Sequence, residues 1–281
     1  MGNIAYYNGT FGQAEELTVP FLDRAIFFGD GCYDAAFVMN GKPLDFDWHL
    51  DRFFNSCRLM RIDFPHTRDE LSAILLEAVA RSGADTALLY WQTSRGVAAR
   101  NHCFPGPDVK PTLLITVNEK TMPDVYTPAP MITVTDTRHH HCNIKTLNLF
   151  PNVMANQAAH EAGAYEAIFI RPDGRVTEGS HCNAHILKNG EIITHPDGDW
   201  ILPGITKKAL FEVAETVGVA VQQRSFTAEE LFAADEVFVT GSSTFIKRAS
   251  SLDGKPCAMA DEATYKKLAD EFMRRANELT K

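Results

Sequence analysis

Lys145 sits in Cys142-Asn143-Ile144-Lys145-Thr146-Leu147-Asn148, and Glu178 in Thr177-Glu178-Gly179-Ser180-His181-Cys182-Asn183. A primary amine forms a Schiff base with an aldehyde, provided burial or a nearby cation leaves it neutral when it attacks. A carboxylate beside a pyridine nitrogen keeps that nitrogen protonated and the ring electron-withdrawing. Pyridoxal 5′-phosphate needs both groups, and an anchor for its phosphate as well. Leu202-Pro203-Gly204-Ile205-Thr206 runs into a helix predicted to start near Lys207. Backbone N–H groups around Ile205 and Thr206, the helix dipole and the Thr206 hydroxyl would converge there on an anion. Thr240-Gly241-Ser242-Ser243-Thr244 follows a predicted strand and adds hydroxyls at Ser242 and Ser243, while Arg52 offers a further cation. Gly179 would let the backbone approach a flat ligand. Taken singly, each residue has a plainer reading: a solvated amine for Lys145, a turn acid for Glu178, an N-cap for Thr206. The constellation carries the assignment.

The rest of the chain bounds what such a site can belong to. A length of 281 residues allows one large or two modest domains. A net charge of −9 lacks the basic balance of a nucleic-acid binder, and no apolar run approaches the roughly 20 residues of a membrane span. Met1 to Glu16 has no basic region followed by an apolar one, so no secretory signal is expected. Met1-Gly2 would suit myristoylation, but Tyr6 stands where Ser or Thr is wanted. Cys32, Cys57, Cys103, Cys142, Cys182 and Cys257 form no C-x-x-C pair, which suits reduced thiols and a cytoplasmic location. His139-His140-His141-Cys142 invites a metal reading, yet consecutive residues of an extended segment point to alternate faces, so no metal is expected.

The elements that must position these groups read as mixed α/β. Strands are expected at 3–8, 33–39 (closed by Asn40-Gly41), 87–93 and 112–117. Phe53, Phe54, Cys57 and Met60 recur at helical spacing between Trp48 and about Asp63. Thr67-Arg68-Asp69-Glu70 is a capping box opening a second helix that ends before Gly83. Residues 118–130 carry three prolines and little apolar content, the best interdomain linker. Beyond it come a strand at 131–135, a helix at 151–163, hairpins at Asp173-Gly174 and Asn189-Gly190, a helix at 206–218, a strand at 236–240 and a terminal helix from about Asp261. The expected division is a small N-terminal domain over 1–120, a linker over 121–130 and a larger domain over 131–281 carrying Lys145, with the ligand in the cleft between the domains.

In order along the chain, Phe28-Gly29-Asp30-Gly31-Cys32-Tyr33-Asp34, His49-Leu50-Asp51-Arg52, Asn143 to Asn148, Thr177-Glu178-Gly179-Ser180, Leu202 to Thr206 and Phe238-Val239-Thr240 resemble the fold-type IV pyridoxal-phosphate aminotransferases. The resemblance runs from Asp23-Arg24 to the final helix. Within that family, Arg95 to Pro105 looks like the substrate-carboxylate trap of the D-amino acid aminotransferases, or D-alanine transaminases. It implies that Arg100 and His102, on a loop crossing a homodimer interface, join Tyr33 to hold the substrate carboxylate. A guanidinium fork with two further donors suits that anion, and fixing it would decide which α-hydrogen faces Lys145. The resemblance further implies ping-pong transamination of D-amino acids such as D-alanine. Lys145 would carry the cofactor and then move the α-proton as general acid–base, and a second oxo acid, typically 2-oxoglutarate, would complete the cycle.

The chain departs from that pattern at several points. His181 and Cys182 stand where small hydroxyl residues are usual. His181 would either crowd the side-chain pocket and tune the cofactor, or point into a core. Gly241 replaces a frequent Ser, shifting phosphate contacts toward Ser242 and Ser243, and Phe37 adds apolar bulk beside Tyr33. Rival readings are an aminodeoxychorismate lyase and an L-branched-chain aminotransferase of the same fold, both disfavoured by Arg100 with His102. A cofactor-binding protein without turnover is a third, disfavoured by Lys145, Glu178 and Tyr33 together.

Overall fold

The computed structural model describes residues 4–281. Met1-Gly2, and Asn3 at the start of the first expected strand, lie outside the described residues. The chain divides into two compact units. The first holds the residues up to Met122 with Ile144–Asn148 and Leu279–Lys281; the second holds Pro123–Asn143 and Leu149–Glu278. The break after Met122 falls inside the expected 121–130 linker. The sequence places Lys145 in the second domain, whereas its segment groups with the first unit because its backbone pairs with a strand there.

The first unit runs β1 (Ile4–Tyr7), β2 (Thr10–Gln13), α1 (Arg24–Phe28), β3 (Gly31–Met39), β4 (Lys42–Pro43), α2 (Phe46–Leu59), α3 (Arg68–Ser82), β5 (Thr86–Ser94) and β6 (Thr112–Glu119). Its strands form one sheet ordered β2-β1-β6-β5-β3-β4, antiparallel throughout. β3 shows how sequence sets the layers. Cys32, Ala36 and Val38 take one face and pack with Leu50, Phe53, Leu71 and Leu75 of α2 and α3, and Tyr33, Ala35 and Phe37 alternate to the other. Each such fully buried Leu or Phe contributes about 1.5–3 kcal/mol. β3 turns into β4 at Asn40-Gly41, whose φ values of +52° and +70° are those of a two-residue hairpin. The capping box closes as expected: Glu70 donates its N–H to the Thr67 hydroxyl (3.3 Å) and Thr67 its N–H to the Glu70 carboxylate (2.7 Å).

The second unit runs β7 (Ala129–Thr135), α4 (Phe150–Glu161), β8 (Glu166–Ile170), β9 (Arg175–Gly179), β10 (Asn183–Lys188), β11 (Glu191–Thr194), α5 (Ile205–Val217), β12 (Val221–Gln223), β13 (Phe226–Thr227), α6 (Ala228–Phe232), β14 (Glu236–Gly241), β15 (Phe245–Leu252), β16 (Lys255–Pro256) and α7 (Glu262–Leu279). The strand order is β12-β11-β10-β14-β15-β7-β8-β9-β13, with β16 on β15. β9 also pairs with β10 at Glu178↔Asn183, so β10-β14-β15-β7-β8-β9 closes on itself around Met131, Ile168, Val176, Ile186, Val239 and Ala249. The rung that closes this ring carries Glu178. Both expected hairpins form, β8–β9 at Asp173-Gly174 and β10–β11 at Asn189-Gly190. β7 and β8 are parallel and joined through α4, whose Ala155 and Ala159 lie against Phe169.

Candidate active site

The first unit carries Lys145. Lys145 lies on a short extended segment pinned by its neighbours on both sides. Tyr33 donates its N–H to the Lys145 carbonyl (2.9 Å), Leu147 donates to the Gly31 carbonyl (3.0 Å), and the Lys145 N–H reaches the Ser56 hydroxyl of α2 (3.3 Å). This close fit explains Gly31: a Cβ there would lie 2.2 Å from the Thr93 carbonyl oxygen and 2.8 Å from Leu147. The Lys145 amine stands 4.3 Å from the centre of the Tyr33 ring, which stacks on Tyr90 at 5.3 Å. Lys145 and Tyr33 are therefore brought together, on the sheet face opposite the helices.

Arg52 lies on that helix face. It donates from Nε (2.8 Å) and Nη2 (2.7 Å) to buried Asp34, which also contacts His49 Nδ1 (2.7 Å). Burial works against the Asp34 charge, but Arg52 and His49 outweigh it and hold the carboxyl far below the usual range. Arg100 and His102 meet at another aromatic ring. The guanidinium stands 5.1 Å from the centre of Phe28 and the imidazole 5.2 Å from it. Their exposed loop is tied down by Arg24, which the sequence reading gave no role. Buried Arg24 donates to the Asn101 carbonyl (2.6 Å) and to Asp30 (2.7 Å), and Asp30 also accepts from Arg95 (2.9 Å).

The second unit carries Glu178. Glu178 is buried, and one of its oxygens accepts from Arg138. The other accepts from the Asn183 amide (3.1 Å) and the Leu202 N–H (3.0 Å). Arg138 also donates to Asp136 (3.0 Å) and to the Trp200 carbonyl (3.2 Å). Burial opposes its charge, but Glu178 and Asp136 more than offset that and raise its pKa above the ordinary value. Sequence reasoning missed Arg138 altogether. A lone Arg after a strand carries no local motif, and only the fold brings Glu178 and Thr177 beside it.

Asn183 joins the acid to the start of α5. The same amide nitrogen donates to the Leu202 carbonyl (2.9 Å), and its oxygen abuts Gly204, where a Cβ would lie 1.8 Å away. Gly204, not Thr206, is the N-cap residue of α5, and as a glycine it offers no side chain to cap it. Ile205 and Thr206 thus stand in the first turn, whose N–H groups lack intrahelical partners. Across the sheet the register runs Glu178↔Asn183↔Thr240, three residues on adjacent strands. Ser242 and Ser243 form the turn after Thr240, and buried His185 holds the Thr240 hydroxyl (2.8 Å). A buried carboxylate flanked by a cation, beside an uncapped helix start and a hydroxyl-rich turn, fits a ligand with a basic ring nitrogen at one end and a phosphate at the other.

Several expectations change in detail. A Cβ at Gly179 would meet the Glu166 carboxyl at 3.0 Å, so that glycine makes room for Glu166. His181 does not enter a core: its side chain is 43% exposed and its Nδ1 lies 3.0 Å from Glu166. In the histidine run, which bends at His140 instead of running extended, His140 packs on Trp200 (3.9 Å), while His139 and His141 face each other (6.0 Å) and the His141 N–H donates to His139 Nδ1 (3.1 Å).

The sequence profile of the amino-transferase class IV family matches residues 31–252. The chain is 36% identical over 253 residues to a D-alanine aminotransferase of Staphylococcus aureus (strain MSSA476), covering 89% of each. Among solved structures, a branched-chain aminotransferase from the thermophilic archaeon Thermoproteus uzoniensis, with norvaline, superposes with a TM-score of 0.87 at 24% identity, covering 96% of this chain and 93% of that one. A putative 4-amino-4-deoxychorismate lyase from Legionella pneumophila gives 0.83 at 24%, covering 95% and 97%. At those identities the two structures speak for the fold alone. No helix among the described residues is long and apolar enough to cross a membrane. With most of its length matched by the family profile and a relative at 36% identity along nearly all of it, the chain belongs to the class IV aminotransferases.

Proposed function

We propose that this chain transaminates D-amino acids, D-alanine among them, with 2-oxoglutarate as acceptor, using pyridoxal 5′-phosphate in a cytoplasmic homodimer. The observation that carries the cofactor is the Asn183 tie between Glu178 and the first turn of α5. The relative named a D-alanine aminotransferase, with Arg100 and His102 gathered at Phe28, supports the substrate class. Pyridoxal 5′-phosphate, when bound, supplies an aldehyde and an electron-withdrawing ring that accepts the electron pair left by the α-proton.

The chain's own residues do the rest. Lys145 would hold the cofactor by its amine and, freed when the substrate amine takes its place, would act as the general acid–base that moves the α-proton. Tyr33 lines the approach to that amine. Glu178, partnered by Arg138, keeps a proton on the ring nitrogen. The first turn at Ile205 and Thr206, the hydroxyls of Ser242 and Ser243, and Arg52 with its guanidinium oriented by Asp34 take the phosphate. Arg100 and His102 reach the substrate carboxylate of the partner subunit's site. Their exposure, beside exposed Phe21, Ile26 and Phe104, accords with a surface that a second copy covers.

The test is a panel of half-reactions on purified protein with D-alanine, D-glutamate, L-alanine and L-leucine, following conversion of the aldehyde absorbance to the pyridoxamine form. Conversion by D substrates alone is expected. Faster conversion by L-leucine, or release of pyruvate from aminodeoxychorismate with no D-alanine response, overturns the reading.

A further inference from the structure

Glu166, His181 and Cys182 are the one group of three metal-ligating side chains found together among the described residues, their ligand atoms all within 4.8 Å of one another. The proposed reaction uses none of them. Glu166 opens β8, and His181 and Cys182 sit at the tip of the β9–β10 connection, closed by a bond from the Gly179 N–H to the Cys182 carbonyl (2.6 Å). Glu166 therefore lies on a strand of this sheet, and His181 and Cys182 on the turn that joins two of its neighbouring strands.

The carboxylate is aimed. Its Oε1 accepts from the Ala167 N–H (2.7 Å), the Ser180 N–H (3.0 Å) and the Ser180 hydroxyl (2.5 Å). Those donors fix the group and turn Oε2 toward the Cys182 sulfur (2.7 Å) and His181 Nδ1 (3.0 Å). Ser180 is itself held by the Asn152 and Asn156 amides (2.8 and 3.2 Å), so the supporting shell extends into α4. A thiol, an imidazole nitrogen and an oriented carboxylate oxygen meeting at one point are a borderline-soft donor set of the kind that binds zinc.

We propose that Glu166, His181 and Cys182 form a binding site for a zinc-class divalent cation, an inference that does not depend on the substrate assigned above. Sulfur and nitrogen donors at about 2.3 and 2.0 Å from zinc stand roughly 3.3–3.6 Å apart around a tetrahedral ion. To reach that spacing the Cys182 sulfur and His181 Nδ1 each part slightly from Glu166 Oε2, from 2.7 and 3.0 Å, and the exposed His181 gives the ion its access route. On binding, the Cys182 thiol loses its proton to solvent, His181 offers the Nδ1 lone pair and Glu166 remains a carboxylate. One thiolate and one carboxylate balance the two positive charges of the ion, so a neutral unit replaces the hydrogen-bonded one. Thr244, whose hydroxyl lies 4.0 Å from the Cys182 sulfur, or a water takes the fourth position.

The enzyme with its cofactor, cleared of metal with EDTA, is dialysed against micromolar zinc chloride and the bound metal is counted per chain. The variants are Cys182→Ser, His181→Asn at the exposed position, and a control with His139, His140 and His141 all changed to Asn. One zinc per chain is expected in the unchanged protein and in the control. Both site variants should bind at least about tenfold more weakly while melting as the unchanged protein does without metal. No zinc uptake, uptake by Cys182→Ser and His181→Asn equal to that of the unchanged protein, or loss in the histidine-run control alone overturns the proposal.

Discussion

Replacing Asn183 by Ala tests whether the acid and the helix start act as one unit. The amide nitrogen donates to the Glu178 carboxylate (3.1 Å) and to the Leu202 carbonyl (2.9 Å), both well shielded from water. A hydrogen bond to a charged group contributes about 1.5–3 kcal/mol and one to a neutral carbonyl about 0.5–1.5 kcal/mol. Their joint loss should cost about 2–4.5 kcal/mol. The part that reaches the ligand follows from geometry. Without the amide, the Leu202 to Gly204 loop keeps only the Leu202 N–H bond to Glu178 (3.0 Å) and the first turn of α5 is held less firmly, so about 1.4 kcal/mol lost there means roughly tenfold weaker pyridoxal 5′-phosphate. Urea unfolding of cofactor-free protein measures the first quantity, and titration of the cofactor's absorbance the second. A variant that unfolds within about 0.5 kcal/mol of the unchanged protein and takes up cofactor equally well refutes the reasoning.

The trap and the buried ion cluster give two further predictions. Arg100→Ala should raise the KM for D-alanine by roughly 10–100-fold, the loss of a charged hydrogen bond of about 1.5–3 kcal/mol, with a smaller effect on kcat; steady-state kinetics with an unchanged KM would remove the trap. Asp34→Asn should destabilise the first unit by about 3–5 kcal/mol at pH 7, because the buried Arg52 loses the opposite charge of Asp34. The pH dependence has a definite sign. The folded-state pKa of Asp34 lies below its unfolded value of about 3.9, so its contribution is complete above that value and fades as the pH falls through the folded one. Urea unfolding from pH 7 to pH 3 should show a shallower acid decline for Asp34→Asn than for the unchanged protein, and equal slopes would contradict the assignment.

Local signals were legible and long-range polar pairs were not. Asn40-Gly41, Asp173-Gly174 and Asn189-Gly190 announce hairpins because their backbone demands are met by neighbours in sequence. Thr67 and Glu70 announce a helix start for the same reason. β15 passed unseen because Lys247, Arg248, Ser250 and Ser251 break the apolar alternation. Arg248 nevertheless lies buried, bonded to Glu236 on the neighbouring strand at 2.6 Å. In the site, Lys145 and Glu178 stood out through the motifs around them. Arg138 and the Asn183 bridge did not, since their partners at Glu178 and Leu202 are distant in sequence and only strand register brings them near. Ile144–Asn148 groups with the first unit on the same ground: its backbone pairs with β3.

The central claim is that the Lys145 amine removes the α-proton from one enantiomer only. It is tested most directly in heavy water, by following the α-proton signal of D-alanine and of L-alanine with catalytic enzyme and no oxo acid. The account predicts rapid loss of the D-alanine signal, retention of the L-alanine signal, and no exchange with Lys145→Ala. Exchange of L-alanine at a comparable rate, or exchange that survives in Lys145→Ala, would contradict it.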